Sequence, residues 1–166
     1  SRYTWVMFLA HKDDTFKKFV SLFAKVQNLI ELKIIKIRSD NGTEFYFCGF
    51  PEFCNNNGIT HEFSIARVPQ QNGVVERKNR TLQEAAKTML SECNLPKYFW
   101  VKTINTACYT MNRILFRPIL NKTSYELIFD KKPVVGYFKV FGCKCFILNI
   151  KEHLGKFDKK SDEGIF

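Results

Sequence analysis

Strand-like and helix-like patterns alternate over the first hundred residues, and this alternation restricts the fold more than any other feature of the sequence. Residues 4–9 form a continuous apolar run, which predicts a strand covered on both faces. A helix is predicted next, because Phe16, Phe19 and Phe23 recur at the three- and four-residue spacing of a buried stripe. Alternating strands and helices are typical of an α/β layered domain.

The remaining predicted elements continue this order. They are a strand at residues 33–38, a short helix at 51–57, a strand at 59–64, long helices at 74–93 and 96–113, and a hairpin at 137–150. Asp13 or Asp14 is expected to cap the first helix. The character of the sequence changes after Arg117, so we predict a core domain at residues 1–117 and a small C-terminal β extension at residues 118–166.

The charge of the chain favours a polyanionic partner. Lys and Arg number 26 against 16 Asp and Glu, which gives a formal charge of +10. An anionic membrane surface would satisfy this charge too. However, the longest apolar run, residues 5–10, is far short of the roughly 20 residues that a spanning helix needs. Nucleic acid, without a membrane, is therefore the expected partner.

The cysteines indicate reduced thiols rather than a metal or disulfide framework. None of the six forms a Cys-x-x-Cys pair, and the three histidines are scattered among them. A zinc site is not expected. Without a secretory leader or a compact cysteine framework, we expect a nuclear or cytoplasmic setting, such as an intracellular particle, and not secretion.

One polar stripe of the long predicted helix could carry chemistry. At 100° per residue, Glu76, Arg80, Gln83 and Lys87 fall on a single face. The last three could follow a nucleic-acid backbone, although a solvated helix face explains them equally well. Asp40 directly follows a predicted strand, and Glu76 lies in the first turn of the helix. Two such carboxylates could converge on a divalent metal ion.

Five motifs in a fixed order resemble the integrases of copia-type retrotransposons, and together they span almost the whole chain. They are Ser1-Arg-Tyr-Thr-Trp5, Arg38-Ser-Asp-Asn-Gly42, the block from Pro69-Gln-Gln-Asn-Gly73 through Val-Val-Glu-Arg-Lys-Asn-Arg-Thr-Leu82, Val140-Phe-Gly-Cys143 and Lys156-Phe-Asp158. The resemblance implies a ribonuclease-H-like mixed sheet with flanking helices. It also implies a multimeric enzyme in which two aspartates and a glutamate bind Mg²⁺ or Mn²⁺ to process DNA ends and join them to target DNA.

Carried over motif by motif, the resemblance assigns roles to six residues. Asp40 looks like the second aspartate and Glu76 like the glutamate, both catalytic and both metal ligands. The expected DNA contacts are Asn72, Arg80, Gln83 and Lys87. Two departures from the family pattern concern these segments. Gly42-Thr43 stands where a glycine-rich pair is usual, and residues 66–68 differ before Pro69.

The first aspartate of the resembling family would lie upstream of Ser1. We therefore expect a fold truncated at the N-terminus, which is poorly stable and has no enzymatic activity by itself. Three alternatives stay open: a non-catalytic nucleic-acid-binding remnant, a nuclease of the same fold, and a structural protein-interaction domain. The charge argues against the last.

Overall fold

The computed structural model describes residues 1–46, 49–65, 72–150 and 155–166. The helices are α1 Thr15–Ile30, α2 Phe50–Asn56, α3 Gly73–Glu92, α4 Trp100–Ile114 and α5 Glu126–Phe129, and the strands are β1 Lys36–Ser39, β2 Thr60–Phe63, β3 Phe116–Arg117, β4 Lys122–Thr123, β5 Lys144–Leu148 and β6 Ser161–Ile165. The chain forms two compact units. We call Met7–Arg80 the strand unit, and Ser1–Val6 together with Thr81–Phe166 the α4 unit.

In the strand unit, β1 and β2 pair in parallel with Ser39 opposite Phe63, and α2 lies between them in sequence. Pro51 stands in the first turn of α2, where its missing N–H costs no helical bond. Gly58 follows the helix with a φ of +64°, a conformation that glycine adopts without steric strain. The two parallel strands therefore end at the same edge of the unit.

An aromatic core holds the strand unit together. Its buried hydrophobic residues are Phe23, Phe50, Cys54 and Ile59, with Phe16, Phe19, Ile34, Ile37, Phe45 and Phe53 packed against them. Phe50 is only 1% exposed, and its ring contacts those of Phe19 and Phe45 at centroid distances of 4.8 and 5.3 Å. The predicted phenylalanine stripe of α1 is thus confirmed as the face that packs inward.

One prediction at the start of the chain is wrong, and a second is confirmed only in part. Residues 4–9 form no strand. The Thr4 N–H donates to Asn112 Oδ1 at 3.1 Å, and the Thr4 carbonyl accepts from Asn112 Nδ2 at 2.8 Å, so a side chain takes the bonds that a neighbouring strand would make. Asp14 is the N-cap residue of α1, as expected, but its side chain makes no cap hydrogen bond. Thr15 Oγ1 instead donates to the Lys12 carbonyl at 2.6 Å.

The α4 unit has a smaller core of short side chains. Leu82, Ala107 and Cys108 form its buried cluster, with Val6, Ala85, Met89 and Met111 packed around it. The long helix predicted at residues 74–93 is confirmed by α3. The spacing of Val75, Leu82, Ala86 and Met89 also predicts an inward stripe on this helix. Leu82 and Ala86 are buried, as this stripe requires. Val75 was expected on the same inward stripe, but its side chain is 62% exposed.

The C-terminal strands pair differently from the prediction. β5 pairs antiparallel with β6, with Lys144 opposite Ile165, so the hairpin predicted within residues 137–150 is wrong. Strand pairing depends on residues distant in sequence, which a local pattern does not reveal. The hairpin of β3 and β4 spans the boundary predicted after residue 117, and that boundary stays a prediction.

Within residues 1–46, 49–65, 72–150 and 155–166, none of the helices combines the length and apolar character that a bilayer crossing requires.

Candidate metal and nucleic-acid site

Asp40 is the first residue after β1 and its side chain is exposed. Its Oδ1 accepts a hydrogen bond from the Gly42 N–H at 3.3 Å, which forms a tight local turn. The Ser39 hydroxyl donates to the Asp40 carbonyl at 2.9 Å. These two hydrogen bonds therefore fix the backbone at Asp40, whose carboxylate is exposed at the strand end.

Asn41 ties the Asp40 turn to the end of the neighbouring strand. Its Nδ2 donates to the Ser64 carbonyl at 2.9 Å, and its Oδ1 accepts from the Tyr46 hydroxyl at 2.9 Å. The Tyr46 ring stacks on Phe63 with a centroid distance of 4.4 Å and an interplanar angle of 3°. Both ends of the Asn41 amide are used, so the residue beside Asp40 has little rotational freedom.

Glu76 lies in the first turn of α3 with its side chain exposed. The Glu76 N–H donates to the Asn72 carbonyl at 3.0 Å, and Asn72 Nδ2 donates to the Ser64 hydroxyl at 3.0 Å. The partial positive charge at a helix N-terminus favours a carboxylate there. Asn72, expected to contact DNA, is half-buried and uses its amide within the protein, and a DNA role for it stays a prediction.

Ser64 is the residue that the two carboxylate-bearing segments share. It is 4% exposed and directly follows β2. Asn41, beside Asp40, is bonded to its carbonyl, and Asn72, at the start of α3, is bonded to its hydroxyl. The structure thus brings the segments of Asp40 and Glu76 to one strand end within the strand unit.

His61 supports the same strand end from within the sheet. Its Nε2 lies 2.9 Å from the Ser39 hydroxyl, and its ring contacts those of Phe50 and Phe63 at centroid distances of 4.9 and 4.1 Å. Because the Ser39 proton goes to the Asp40 carbonyl, we infer that His61 Nε2 donates to the hydroxyl. Burial lowers the pKa of the His61 imidazole below its ordinary value.

The expected DNA-contact residues on α3 have exposed side chains. Arg80, Gln83 and Lys87 are exposed along the helix that begins at Gly73 and carries Glu76 in its first turn. Their spacing sets them on one stripe, with Leu82 and Ala86 turned to the core instead. Residues 66–71, which include the Pro69-Gln-Gln part of the central motif, lie outside the described residues, as does Cys48.

The donor set at this site suits a hard divalent cation. Carboxylate oxygens are the ligands that Mg²⁺ and Mn²⁺ prefer, and both Asp40 and Glu76 present them at the surface. Within the part of the chain that the structure describes, no three His, Cys, Asp or Glu side chains lie close enough together to hold a metal ion. The carboxylate oxygens of Asp40 and Glu76 are thus of the donor type that such a cation prefers.

Comparison with known proteins shows the family to which the chain belongs. No family model matches the sequence. The chain is 39% identical over all 166 residues to the retrovirus-related Pol polyprotein from transposon TNT 1-94 of Nicotiana tabacum, and 30% identical over 166 residues to that from transposon RE1 of Arabidopsis thaliana. The chain belongs to the copia-type Pol polyproteins. It spans 12% and 11% of the length of these two copia-type relatives.

Solved structures identify which part of the copia-type polyprotein this is. The HTLV-2 integrase catalytic core domain in complex with magnesium, in its trimeric form, matches with a TM-score of 0.50 and 28% identity over 68% of each chain. A simian T-cell lymphotropic virus intasome in complex with PP2A regulatory subunit B56 gamma matches with a TM-score of 0.57 and 19% identity, over 93% of this chain and 55% of that one. This copia-type region has the mixed α/β, ribonuclease-H-like fold of an integrase catalytic core.

Sequence reasoning found the two carboxylates but missed the residues that hold them. Ser64, Asn41 and His61 were not singled out. Ser64 ends the strand predicted at residues 59–64, but no local pattern sets it apart from its neighbours there. No signal indicated the Asn72 contact, because it depends on the folded chain.

Proposed function

We propose that this chain forms part of the active site of a retrotransposon integrase, a polynucleotidyl transferase that processes DNA ends and joins them to target DNA. The observation that carries the proposal is the shared attachment of the Asp40 and Glu76 segments to Ser64. It puts two exposed carboxylate-bearing segments at the carboxyl edge of parallel strands, within a fold of the integrase core type.

Asp40 and Glu76 are the catalytic residues of this proposal, and they hold Mg²⁺ or Mn²⁺. Metal ions held there would supply activation of an attacking hydroxyl and stabilisation of the leaving oxygen in phosphoryl transfer. The protein's own contribution is to fix the carboxylates in advance: the Gly42 N–H orients Asp40, and the N-terminus of α3 favours the charge of Glu76. Magnesium is present in the HTLV-2 core domain that this chain resembles.

The third carboxylate comes from a part of the polyprotein outside these 166 residues. Support comes from the resembling family, in which two aspartates and a glutamate share the metal ions, and from the small share of the tobacco polyprotein that the chain spans. By this proposal the sheet is also completed from outside, and the 166-residue chain is inactive alone. Its activity belongs to the multimer of the longer protein.

DNA is bound along the exposed stripe of α3. Arg80 and Lys87 neutralise phosphates and Gln83 hydrogen-bonds to the backbone, because cations and amides at helical spacing can follow a phosphate chain. The formal charge of +10 adds sequence-independent attraction. Asn72 lies at the start of the same helix, where its amide supports the site.

The decisive experiment is a DNA-joining assay with a polyprotein segment that contains this chain and its upstream neighbour. With end-labelled element DNA and Mg²⁺, we expect longer products, which Asp40→Asn and Glu76→Gln reduce by roughly a hundredfold or more because each removes an ionised metal ligand. Glu84→Gln, an exposed acid on the same helix, is the matched control and retains activity. Shorter products alone would indicate a nuclease instead.

DNA binding is tested separately by its salt dependence. Arg80→Ala and Lys87→Ala should weaken binding and each reduce the slope of log affinity against log salt by about 1. Lys25→Ala, an exposed lysine on α1, is the control. Normal binding and slope in both α3 variants would contradict this surface. Binding without joining in the longer segment would favour the non-catalytic alternative.

A further inference from the structure

Ser64 makes three hydrogen bonds, two through its backbone and one through its side chain. Its N–H donates to the Ser39 carbonyl at 2.9 Å and so continues the pairing of β1 with β2 by one bond. Its carbonyl accepts from Asn41 at 2.9 Å, and its hydroxyl accepts from Asn72 at 3.0 Å. A residue with three such bonds at 4% exposure is fixed in both position and rotamer.

Each partner of Ser64 adjoins one carboxylate. Asn41 follows Asp40 directly in sequence, and the Asn72 carbonyl accepts the N–H of Glu76 at 3.0 Å. The route from one carboxylate-bearing residue to the other therefore runs from Asp40 to Asn41, through Ser64, to Asn72 and Glu76. Only the last part of this route depends on the Ser64 side chain, because the Asn41 and Ser39 bonds go to its backbone.

We propose that Ser64 is a positioning residue whose hydroxyl sets the start of α3 against the Asp40 turn, so that Asp40 and Glu76 reach the same metal ion. This inference rests on the proposed function of the two carboxylates. Ser64 touches neither the metal nor the DNA. Ser64 acts on the distance and orientation between the Asp40 and Glu76 carboxylates. A small displacement of either segment would weaken metal binding, because the ligands must be held close to their binding geometry.

Four substitutions test the hydrogen bond between Asn72 and the Ser64 hydroxyl. Ser64→Ala keeps the backbone bonds to Ser39 and Asn41 and removes only the bond from Asn72. Ser64→Thr keeps a hydroxyl and should restore function. Asn72→Ala removes the same bond from the other side, at a half-buried residue whose truncation is easier to accommodate. Ser124→Ala is the matched control, because it deletes a buried serine hydroxyl in the α4 unit.

The experiment measures Mn²⁺ binding by the spin-resonance signal of free Mn²⁺, using the polyprotein segment that contains this chain. We expect Ser64→Ala and Asn72→Ala each to weaken Mn²⁺ binding by roughly three- to tenfold, the ratio that one buried hydrogen bond provides. The double variant should be no weaker than either single one, because both remove one bond. Ser64→Thr and Ser124→Ala should bind as the wild type does. DNA affinity without metal should be unchanged in the Ser64 and Ser124 variants.

The outcomes separate this inference from the function on which it rests. If wild-type protein binds Mn²⁺ and Asp40→Asn abolishes that binding, yet Ser64→Ala and Asn72→Ala bind within twofold of wild type, Ser64 is not a positioning residue. Additive losses in the double variant, or failure of Ser64→Thr to restore binding, overturn it as well. If Asp40→Asn leaves Mn²⁺ binding unaltered in the wild-type background, the metal role of the carboxylates fails first. Should Ser64→Ala not fold, Asn72→Ala and its comparison with wild type decide.

Discussion

Each of the two compact units is stabilised by a different kind of internal contact. In the strand unit, large aromatic side chains such as Phe23 and Phe50 fill the space beside two parallel strands. In the α4 unit, the buried cluster is made of Leu82, Ala107 and Cys108, while the Asn112 side chain accepts one hydrogen bond from the Thr4 backbone and donates another to it. The candidate metal site lies where packing dominates, so its geometry depends on a core that tolerates little change.

The two units also differ in how well their strands are buried. On β5, Phe146, Ile147 and Leu148 are all exposed, although β5 and β6 pair over five residues. Two-stranded sheets gain little stability on their own, because one ladder of hydrogen bonds cannot replace a buried face. The α4 unit therefore depends on a few buried polar contacts, and removal of any one of them should lower the stability of this unit.

The largest expected effect is at Phe50. Phe50→Ala leaves a cavity among the rings of the strand unit and should lower its free energy of unfolding by about 3–5 kcal/mol. Phe146→Ala, at a β5 ring that is 68% exposed, should change stability by no more than about 0.5 kcal/mol. Hydrogen exchange of the β1 and β2 amides measures the first change. Equal effects of the two substitutions would remove the contrast between the units.

The next effect sharpens the comparison from the side of the α4 unit. Asn112 is 2% exposed, and Asn112→Ala removes the acceptor of the Thr4 N–H and one of the two donors to the Thr4 carbonyl, which keeps only the Cys108 thiol. This loss should cost about 2–3 kcal/mol. Trp5 and Trp100 both belong to the α4 unit, so denaturation followed by tryptophan fluorescence reports this loss. Asn105→Ala, at an exposed position of α4, is the control and should melt as the wild type does.

A smaller effect is expected at Gly142, whose φ is +83°. A Cβ there would lie 2.6 Å from Cys93 Cβ, so Gly142→Ala combines backbone strain with a clash and should cost about 1–3 kcal/mol. Gly136→Ala has no heavy atom within 4 Å of its added Cβ and provides the matched control. Both are compared by urea denaturation with the same fluorescence signal. Identical midpoints would show that the Cys93 contact is not maintained in solution.

The smallest effect is a pH dependence confined to the strand unit. Burial lowers the pKa of His61 in the folded state, so the unfolded chain binds the proton more readily. The His61 contribution to stability should therefore be constant above about pH 7 and fall as the pH drops through the unfolded value of about 6.5. His61→Gln should flatten this part of the profile, whereas His11→Gln, at an exposed position of the same unit, should not. A profile unaltered by His61→Gln would exclude this residue as the cause.

Local patterns were sufficient for the helices and for β1 and β2, but not for the first predicted strand or the C-terminal strand pairing. The stripe of Phe16, Phe19 and Phe23 predicted α1, because helical periodicity is encoded within a few residues. The strand predicted at residues 4–9 failed, since an apolar run becomes a strand only when another strand pairs with it. β5 found its partner at Ser161–Ile165, on the far side of a segment that the pattern at residues 137–150 does not include.

The candidate site was predictable only in part for a similar reason. Asp40 and Glu76 could be singled out because each stands at a recognisable place, directly after a strand and at the start of a helix. Ser64 could not, because its importance lies in bonds to Asn41 and Asn72, which are 23 and 8 residues away in sequence. The folded backbone, and not a motif, brings those three residues together.

The central claim is that Asp40 and Glu76 bind the same divalent metal ion. The most direct test is anomalous diffraction at the manganese edge from crystals of the polyprotein segment grown with Mn²⁺. A manganese peak within about 2.0–2.6 Å of carboxylate oxygens from both residues is the predicted result. Manganese bound by only one of the two carboxylates, or by neither, would contradict it.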